Sequence, residues 1–247
     1  MLLQGKNAVI TGCLKGIGRS TLGVFTREGA NVWACCQCSD PSLESYISDL
    51  SYQHNVWIKP IYFDLCDHTQ IKNAANEIHK NKNQIDILVN IAGMTDDSLF
   101  HMTSMDKMKL VFEINFFSPM LFTQYISKYM IRQKFGVIIN ISSISAIDGN
   151  PGQFSYTSSK AAMLGATKTL AKELSGFGIR VNALAPGVIQ TEMIEGMPDD
   201  IFESFMRKSD LKHAGKPEEV AEVIAFLSSD LASYITGQII RVDGGIG

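Results

Sequence analysis

Short apolar runs of strand length alternate along the chain with longer stretches whose apolar positions recur at helical period, the signature of a parallel sheet covered by helices on both faces. The strand-like runs are Asn7–Thr11, Asn31–Cys35, Val56–Phe63, Ile85–Asn90, Gly136–Ser142, Ile179–Ala183 and Gln238–Val242. Helices are expected over Gly16–Glu28, His68–Lys80, Ser104–Arg132, Phe154–Ser175 and Pro217–Ser229, the last opened by a proline in its first turn. Pro60 interrupts the third run; a proline lacks a ladder donor and belongs at a sheet edge, which matches a doubly wound α/β sheet of order 3-2-1-4-5-6-7. The least regular stretch, Gln190–His213, carries Met193, Ile194, Met197, Phe202, Phe205 and Met206 around a Pro-Asp-Asp turn and reads either as a lid or as side chains packed on the sheet.

At 247 residues the chain suits one α/β domain spanning 1–247, which buries about three-quarters of its unfolded surface. A net charge of −3 with both signs interspersed offers no footprint for nucleic acid or a bilayer. The first strand starts almost at once and no eighteen apolar residues run together, so neither an export signal nor a membrane span is expected and a cytoplasmic location is. Five cysteines, an odd number, argue for reduced thiols. Three of them, Cys35, Cys36 and Cys38, are crowded at the end of a buried strand, poor geometry for a metal, and none is expected.

After the first strand comes Gly12-x-x-x-Gly16-x-Gly18, a loop that lets backbone N–H groups at a helix N-terminus approach a pyrophosphate without obstruction by Cβ atoms. Its strand–turn–helix setting marks a Rossmann-type dinucleotide site. The second strand ends in cysteine rather than in an acidic residue for the ribose hydroxyls, and Lys15 within the loop is placed to reach a 2′-phosphate, so NADP(H) is favoured with NAD(H) possible. The competing reading gives the ribose to Asp40; that residue precedes Pro41, which suits a helix cap better. Asp64, ending the third strand, and Asn90-Ile91-Ala92-Gly93, ending the fourth, lie at carboxyl ends of strands, where open α/β sheets bind ligands.

Tyr156 and Lys160 stand four apart in Y-T-S-S-K, thirteen residues after Ser143. That spacing stacks a phenol and an ammonium on one helix face. Bringing a tyrosine from ~10 to about 7 requires roughly 4 kcal/mol in favour of the phenolate, which a close lysine and cofactor charge are expected to supply. The five histidines fall in no motif and read as structural or surface residues.

With the glycine loop, Asn90-x-Ala92-Gly93, Asn115, Ser143, Tyr156-x-x-x-Lys160 and Pro186-Gly187 in order, the whole chain resembles the short-chain dehydrogenase/reductases. The segments G-Q-F-S-Y before Lys160, P-G-V-I-Q-T-E-M from Pro186 and Y-I-T-G-Q-I-I-R-V-D-G-G from Tyr234 are most similar to those of 3-oxoacyl-(acyl-carrier-protein) reductases. The resemblance implies NADPH-dependent reduction of a ketone, most closely a 3-oxoacyl thioester to the 3-hydroxyacyl thioester of fatty acid biosynthesis. Tyr156 would give a proton to the carbonyl oxygen, Ser143 would hold that oxygen, Lys160 would depress the Tyr156 pKa and bind the nicotinamide ribose, and Asn115 would anchor a proton-relay water. Cofactor contacts implied are Gly12, Lys15, Gly16, Ile17, Gly18, Asp64, Leu65, Asn90, Ala92, Gly93, Tyr156, Lys160, Ile189 and Thr191.

The chain departs from the family pattern at Ile91, where an asparagine is usual, and at Phe177. Carrier-dependent reductases meet their acidic partner with two basic residues; Lys134 matches one and Phe177 stands at the other, which weakens electrostatic docking. Oxidation of a sugar, polyol or other secondary alcohol, or reduction of a coenzyme A thioester, therefore stays open. A non-catalytic nucleotide-binding redox sensor using the cysteines is a further alternative. The resemblance also implies a homotetramer paired through the helices after the fourth and fifth strands, with Met120–Met130 as candidate interface.

Overall fold

The computed structural model describes residues 1–80, 83–194 and 199–246, apart from the Met193 side chain. Seven parallel strands form one sheet in the order 3-2-1-4-5-6-7. They are β1 (Asn7–Thr11), β2 (Asn31–Cys36), β3 (Ile58–Tyr62), β4 (Ile87–Asn90), β5 (Gly136–Ile141), β6 (Ile179–Pro186) and β7 (Ile239–Val242). Pro60 lies on the edge strand β3, as its missing N–H requires. The sixth strand extends three residues beyond the sequence expectation because Ala185 and Pro186 pair with Arg241 and Val242.

The helices are α1 (Gly16–Arg27), α2 (Pro41–His54), α3 (His68–Lys80), α4 (Met105–Phe112), α5 (Ser118–Gln133), α6 (Ser145–Asp148), α7 (Phe154–Leu174), α8 (Asp199–Lys208) and α9 (Pro217–Ser228). Successive strand residues feed opposite faces. Ile10, Val89 and Ile139 pack with Leu22 and Phe25 of α1 and Ile224 of α9, whereas Val9, Leu88 and Ile138 pack with Ile78 of α3 and Phe122 and Ile126 of α5. Phe122, Ile126 and Met130 thus serve the chain's own core. Asp40 caps α2: its Oδ1 accepts from the N–H groups of Ser42 and Leu43 at 2.9 and 3.0 Å, as a cap should.

The helix expected over Ser104–Arg132 is broken. Between α4 and α5 the chain widens into a π turn, Glu113–Phe117, centred on Asn115. Such turns occur where a side chain must be held out of normal register. The irregular Gln190–His213 stretch contains a 3-10 turn, Glu192–Ile194, followed by α8. Ile194, Phe202, Phe205 and Met206 pack on a small cluster formed by Ile144, Ala185, Val188, Ala214 and Ile246. The packing alternative holds for these four, and Ile194 and Phe205 also line the cleft described next; Met197 lies outside the described residues.

Candidate active site

A cleft of roughly 480 Å³ opens at the carboxyl ends of the central strands, the position and size at which α/β sheets take small ligands. The glycine loop forms one end. Gly12 has φ +76°, and a Cβ there would stand 3.0 Å from the Ala92 backbone; at Gly18 it would stand 2.0 Å from the Gly12 carbonyl oxygen. Only glycines allow the loop to fold onto the β4 end and leave the α1 N-terminus facing the cleft. Thr11 ties the two segments together, its hydroxyl accepting from the N–H groups of Ile91 and Ala92 at 3.0 and 3.2 Å.

Fit to a dinucleotide is therefore built into the backbone. Gly12, Gly16, Ile17 and Gly18 line this end, Asp64 and Leu65 line the flank beside β3, and Ala92, Gly93, Ile189 and Thr191 line the middle. Lys15 lines it too, but its ammonium is 2.5 Å from the Glu192 carboxylate, both side chains being more than half exposed. Asn90 turns its side chain away from the cleft and into the sheet. Its side chain, buried within the sheet, donates to Thr123 Oγ1 and Asn140 Oδ1, each at 2.9 Å, and Asn140 in turn donates to Thr167 Oγ1. This network pins β4 to β5, α5 and α7, so a cofactor contact of Asn90 would fall to its backbone rather than its side chain.

At the other end Ser143, Tyr156 and Lys160 converge. Ser143 follows β5 and its Oγ accepts from the Ser145 N–H at 3.1 Å. Its side chain is also hydrogen-bonded to the Tyr156 phenol, lowering the phenol's pKa, but burial outweighs that bond and holds the phenol above its ordinary value. Lys160 is not among the causes of the shift. Its ammonium lies 5.9 Å from the Tyr156 ring centroid and donates to the Ile141 carbonyl at 2.8 Å. Burial brings the Lys160 pKa down to about 8.

Asn115 is fully buried behind this pair. Its Oδ1 accepts from the Met94 N–H at 2.8 Å, and its Nδ2 donates to the Met94 carbonyl and Ser159 Oγ at 2.9 and 3.0 Å. A Cβ at Gly93 would lie 3.1 Å from Asn115 Oδ1 and 3.2 Å from Lys160 Nζ, so the two polar groups flank one small gap. The sequence reading missed a polar rim around Tyr156 comprising Thr95, Asp97, Ser145, Asn150 and Gln153. Only Gln153 carried a signal, as part of G-Q-F-S-Y.

Among the cysteines, Cys13 and Cys35 are buried and their thiols are held well above the usual value by desolvation, whereas a hydrogen bond from Cys13 lowers Cys36. Cys35 and Cys36 also line the cleft. Among the described residues no helix is long and apolar enough to cross a membrane.

Residues 12–247 match the family model described as enoyl-(acyl carrier protein) reductase. The chain is 42% identical to 3-oxoacyl-[acyl-carrier-protein] reductase FabG of Thermotoga maritima over 246 residues, covering 100% of this chain and 99% of that one. The chain belongs to the short-chain dehydrogenase/reductase family. A second relative of this family, FabG of Aquifex aeolicus, is 38% identical over 99% of this chain and 98% of its own. A structure from Beutenbergia cavernae, solved with low-occupancy NADP under the provisional name NAD(P) dependent gluconate 5-dehydrogenase, superposes with a TM-score of 0.93 at 29% identity, covering 98% of this chain and 97% of that one. As a short-chain dehydrogenase/reductase the chain is an NAD(P)-dependent oxidoreductase acting on CH–OH groups.

Proposed function

We propose that the protein reduces a 3-oxoacyl thioester to the 3-hydroxyacyl thioester with NADPH, residues 1–247 acting as one dinucleotide-binding and catalytic domain. The carrying observation is the convergence of Ser143, Tyr156 and Lys160 at the end of a cleft whose other end is the glycine loop. Full-length relatives named 3-oxoacyl-[acyl-carrier-protein] reductase support the substrate class. When bound, the nicotinamide would supply the hydride.

The chain's own groups handle the oxygen. Ser143 donates to the carbonyl oxygen, and Tyr156 delivers the proton that turns the developing alkoxide into the alcohol. Lys160 stabilises the phenolate that remains and contacts the nicotinamide ribose. Asn115 holds the site of a relay water toward Lys160. Lys15 exchanges Glu192 for the 2′-phosphate, the basis for preferring NADPH.

The acyl carrier fits only in part. Lys134, the C-cap of α5, and the turn bearing Phe177 are neighbours: a Cβ at Gly178 would stand 2.6 Å from the Lys134 carbonyl oxygen. One cation and one half-exposed phenylalanine replace a basic pair, so small thioesters should turn over nearly as well as carrier-bound ones. Assembly as a homotetramer is supported by the exposed Leu110 and Phe117 on the segment after β4 and Phe154 at the start of α7. The cytoplasm is the proposed location.

A second reading, oxidation of a sugar or polyol, is favoured by the structural likeness to two proteins provisionally named gluconate dehydrogenases. Steady-state rates with NADPH and NADH on acetoacetyl thioesters and a panel of ketones and alcohols, beside Tyr156→Phe, test both. Failure of NADPH oxidation with acetoacetyl thioesters overturns the thioester reading.

A further inference from the structure

The polar rim around Tyr156 contains one feature that the chemistry of carbonyl reduction does not call for, a fixed carboxylate. Asp97 lies in the segment after β4, and its Oδ1 accepts from Thr95 Oγ1 at 2.5 Å and from Gln153 Nε2 at 3.1 Å. Gln153 is itself held from the far side, its Oε1 accepting from Asn150 Nδ2 at 2.9 Å and Ser145 Oγ at 3.2 Å. Ser145 is the residue whose N–H fixes Ser143 Oγ. A continuous set of hydrogen bonds thus sets the Asp97 charge in position relative to the two groups that must grip the carbonyl oxygen.

The charge is felt there: the Asp97 carboxylate is one cause of the raised Tyr156 phenol. Nothing on the rim offsets it. Among the described residues lining the cleft the cations are Lys15, paired with Glu192 at the opposite end, and Lys160, buried beneath Tyr156 and bonded to Ile141. Lys107, on α4 nearby, spends its ammonium on Asp96 at 3.0 Å. A substrate whose own negative charge lies close to its carbonyl meets a like charge with no counterion, an arrangement that discriminates by repulsion.

We infer that Asp97 is a specificity-determining residue that screens out ketones bearing a carboxylate close to the reacting carbonyl and reserves the site for uncharged acyl derivatives such as thioesters and esters. The inference rests on the proposed placement of the carbonyl between Ser143 and Tyr156. It also bears on the sugar reading, since a keto acid belongs to the excluded class while a neutral polyol does not.

Ethyl acetoacetate and acetoacetate share one 3-oxo skeleton and differ in charge, so the ratio of their kcat/KM values with NADPH reads the screen directly. Asp97→Asn should raise the relative kcat/KM for acetoacetate by about five- to tenfold, the effect of removing one like charge at close range in a partly wet site, and Asp97→Lys by more. Asp96→Asn, the same charge change one residue away at a carboxylate already paired with Lys107, should leave the ratio as in the unmodified protein. An unchanged ratio in Asp97→Asn, or an equal change in Asp96→Asn, overturns the inference. If neither ketone is turned over, the same contrast must appear in the dissociation constants of acetoacetamide and acetoacetate from the NADP⁺ complex, measured by calorimetry. Inertness toward acetoacetyl thioesters with the ratio shift intact refutes the thioester reading alone. Thioester turnover with no shift refutes the screen alone.

Discussion

Lys160 and Tyr156 share one face of α7, with the ammonium 5.9 Å from the ring centroid, yet burial drives their titrations apart: the phenol goes up and the amine comes down to about 8. Desolvation dominates both groups. The phenol is thus a proton reservoir whose release depends on the charges brought by the ligands. Tyr156→Phe removes that proton and should lower kcat by about 10²- to 10⁴-fold, while the thermal midpoint and NADPH affinity stay close to those of the unmodified chain. Retained turnover would remove Tyr156 from the chemistry.

Buried charge at Lys160 also has a stability signature. Its folded pKa of about 8 lies below its unfolded value, so between about pH 8 and 10 the unfolded chain holds the additional proton and stability rises with pH. Below about pH 8 the full cost of burying the ammonium is present, ~3 kcal/mol by linkage. Lys160→Met should therefore abolish turnover yet raise stability at pH 7 by about 1–3 kcal/mol, the lost bond to Ile141 offsetting part of the gain. That gain should fade by about pH 10. Denaturant unfolding of both proteins across this range is the check, and equal destabilisation at both ends would contradict it.

The strands, the glycine loop and the Tyr156–Lys160 pair were legible because each depends on local pattern: short apolar runs, small residues at a turn, four residues along a helix. Strand order followed from a proline at the sheet edge, and Ser143 from the resemblance to a known family. The features that were not legible depend on who meets whom after folding. The Asn90 side chain is engaged within the sheet because parallel pairing sets it beside Asn140, and two amides on one sheet face bond to each other. The π turn at Glu113–Phe117 follows from Met94 and Ser159 gripping Asn115, partners 21 and 44 residues away. Asp97 reads as an ordinary acidic loop residue until Gln153, 56 positions on, anchors it.

Cofactor preference is expected to turn on the Lys15–Glu192 pair. An exposed ion pair of this kind contributes at most about 1 kcal/mol, so a 2′-phosphate can displace Glu192. Lys15→Ala should raise the KM for NADPH about tenfold or more while changing that for NADH little. Glu192→Gln, which removes the competitor, should lower the KM for NADPH about two- to fivefold. Parallel kinetics with the two cofactors decide the matter; equal losses for NADPH and NADH in Lys15→Ala would place the 2′-phosphate elsewhere.

The narrow gap between Asn115 and Lys160 separates a catalytic role for this corner from a purely structural one. Asn115→Leu removes the partner of the half-buried Met94 N–H and carbonyl and the donor to Ser159 Oγ, which keeps its bond to the Tyr156 carbonyl, and should cost about 1–3 kcal/mol of stability along with activity. Gly93→Ala is gentler. The added methyl would sit 3.2 Å from Lys160 Nζ and 3.1 Å from Asn115 Oδ1, tight enough to displace the ammonium and fill the space of the proposed relay water but leaving the hydrogen bonds of Asn115 within reach. Its kcat should fall by about tenfold to a hundredfold, since sub-ångström misplacement of a catalytic group is enough, with stability changed by less than about 1 kcal/mol. Near-normal kcat in a folded Gly93→Ala protein would show that proton traffic does not pass between Asn115 and Lys160.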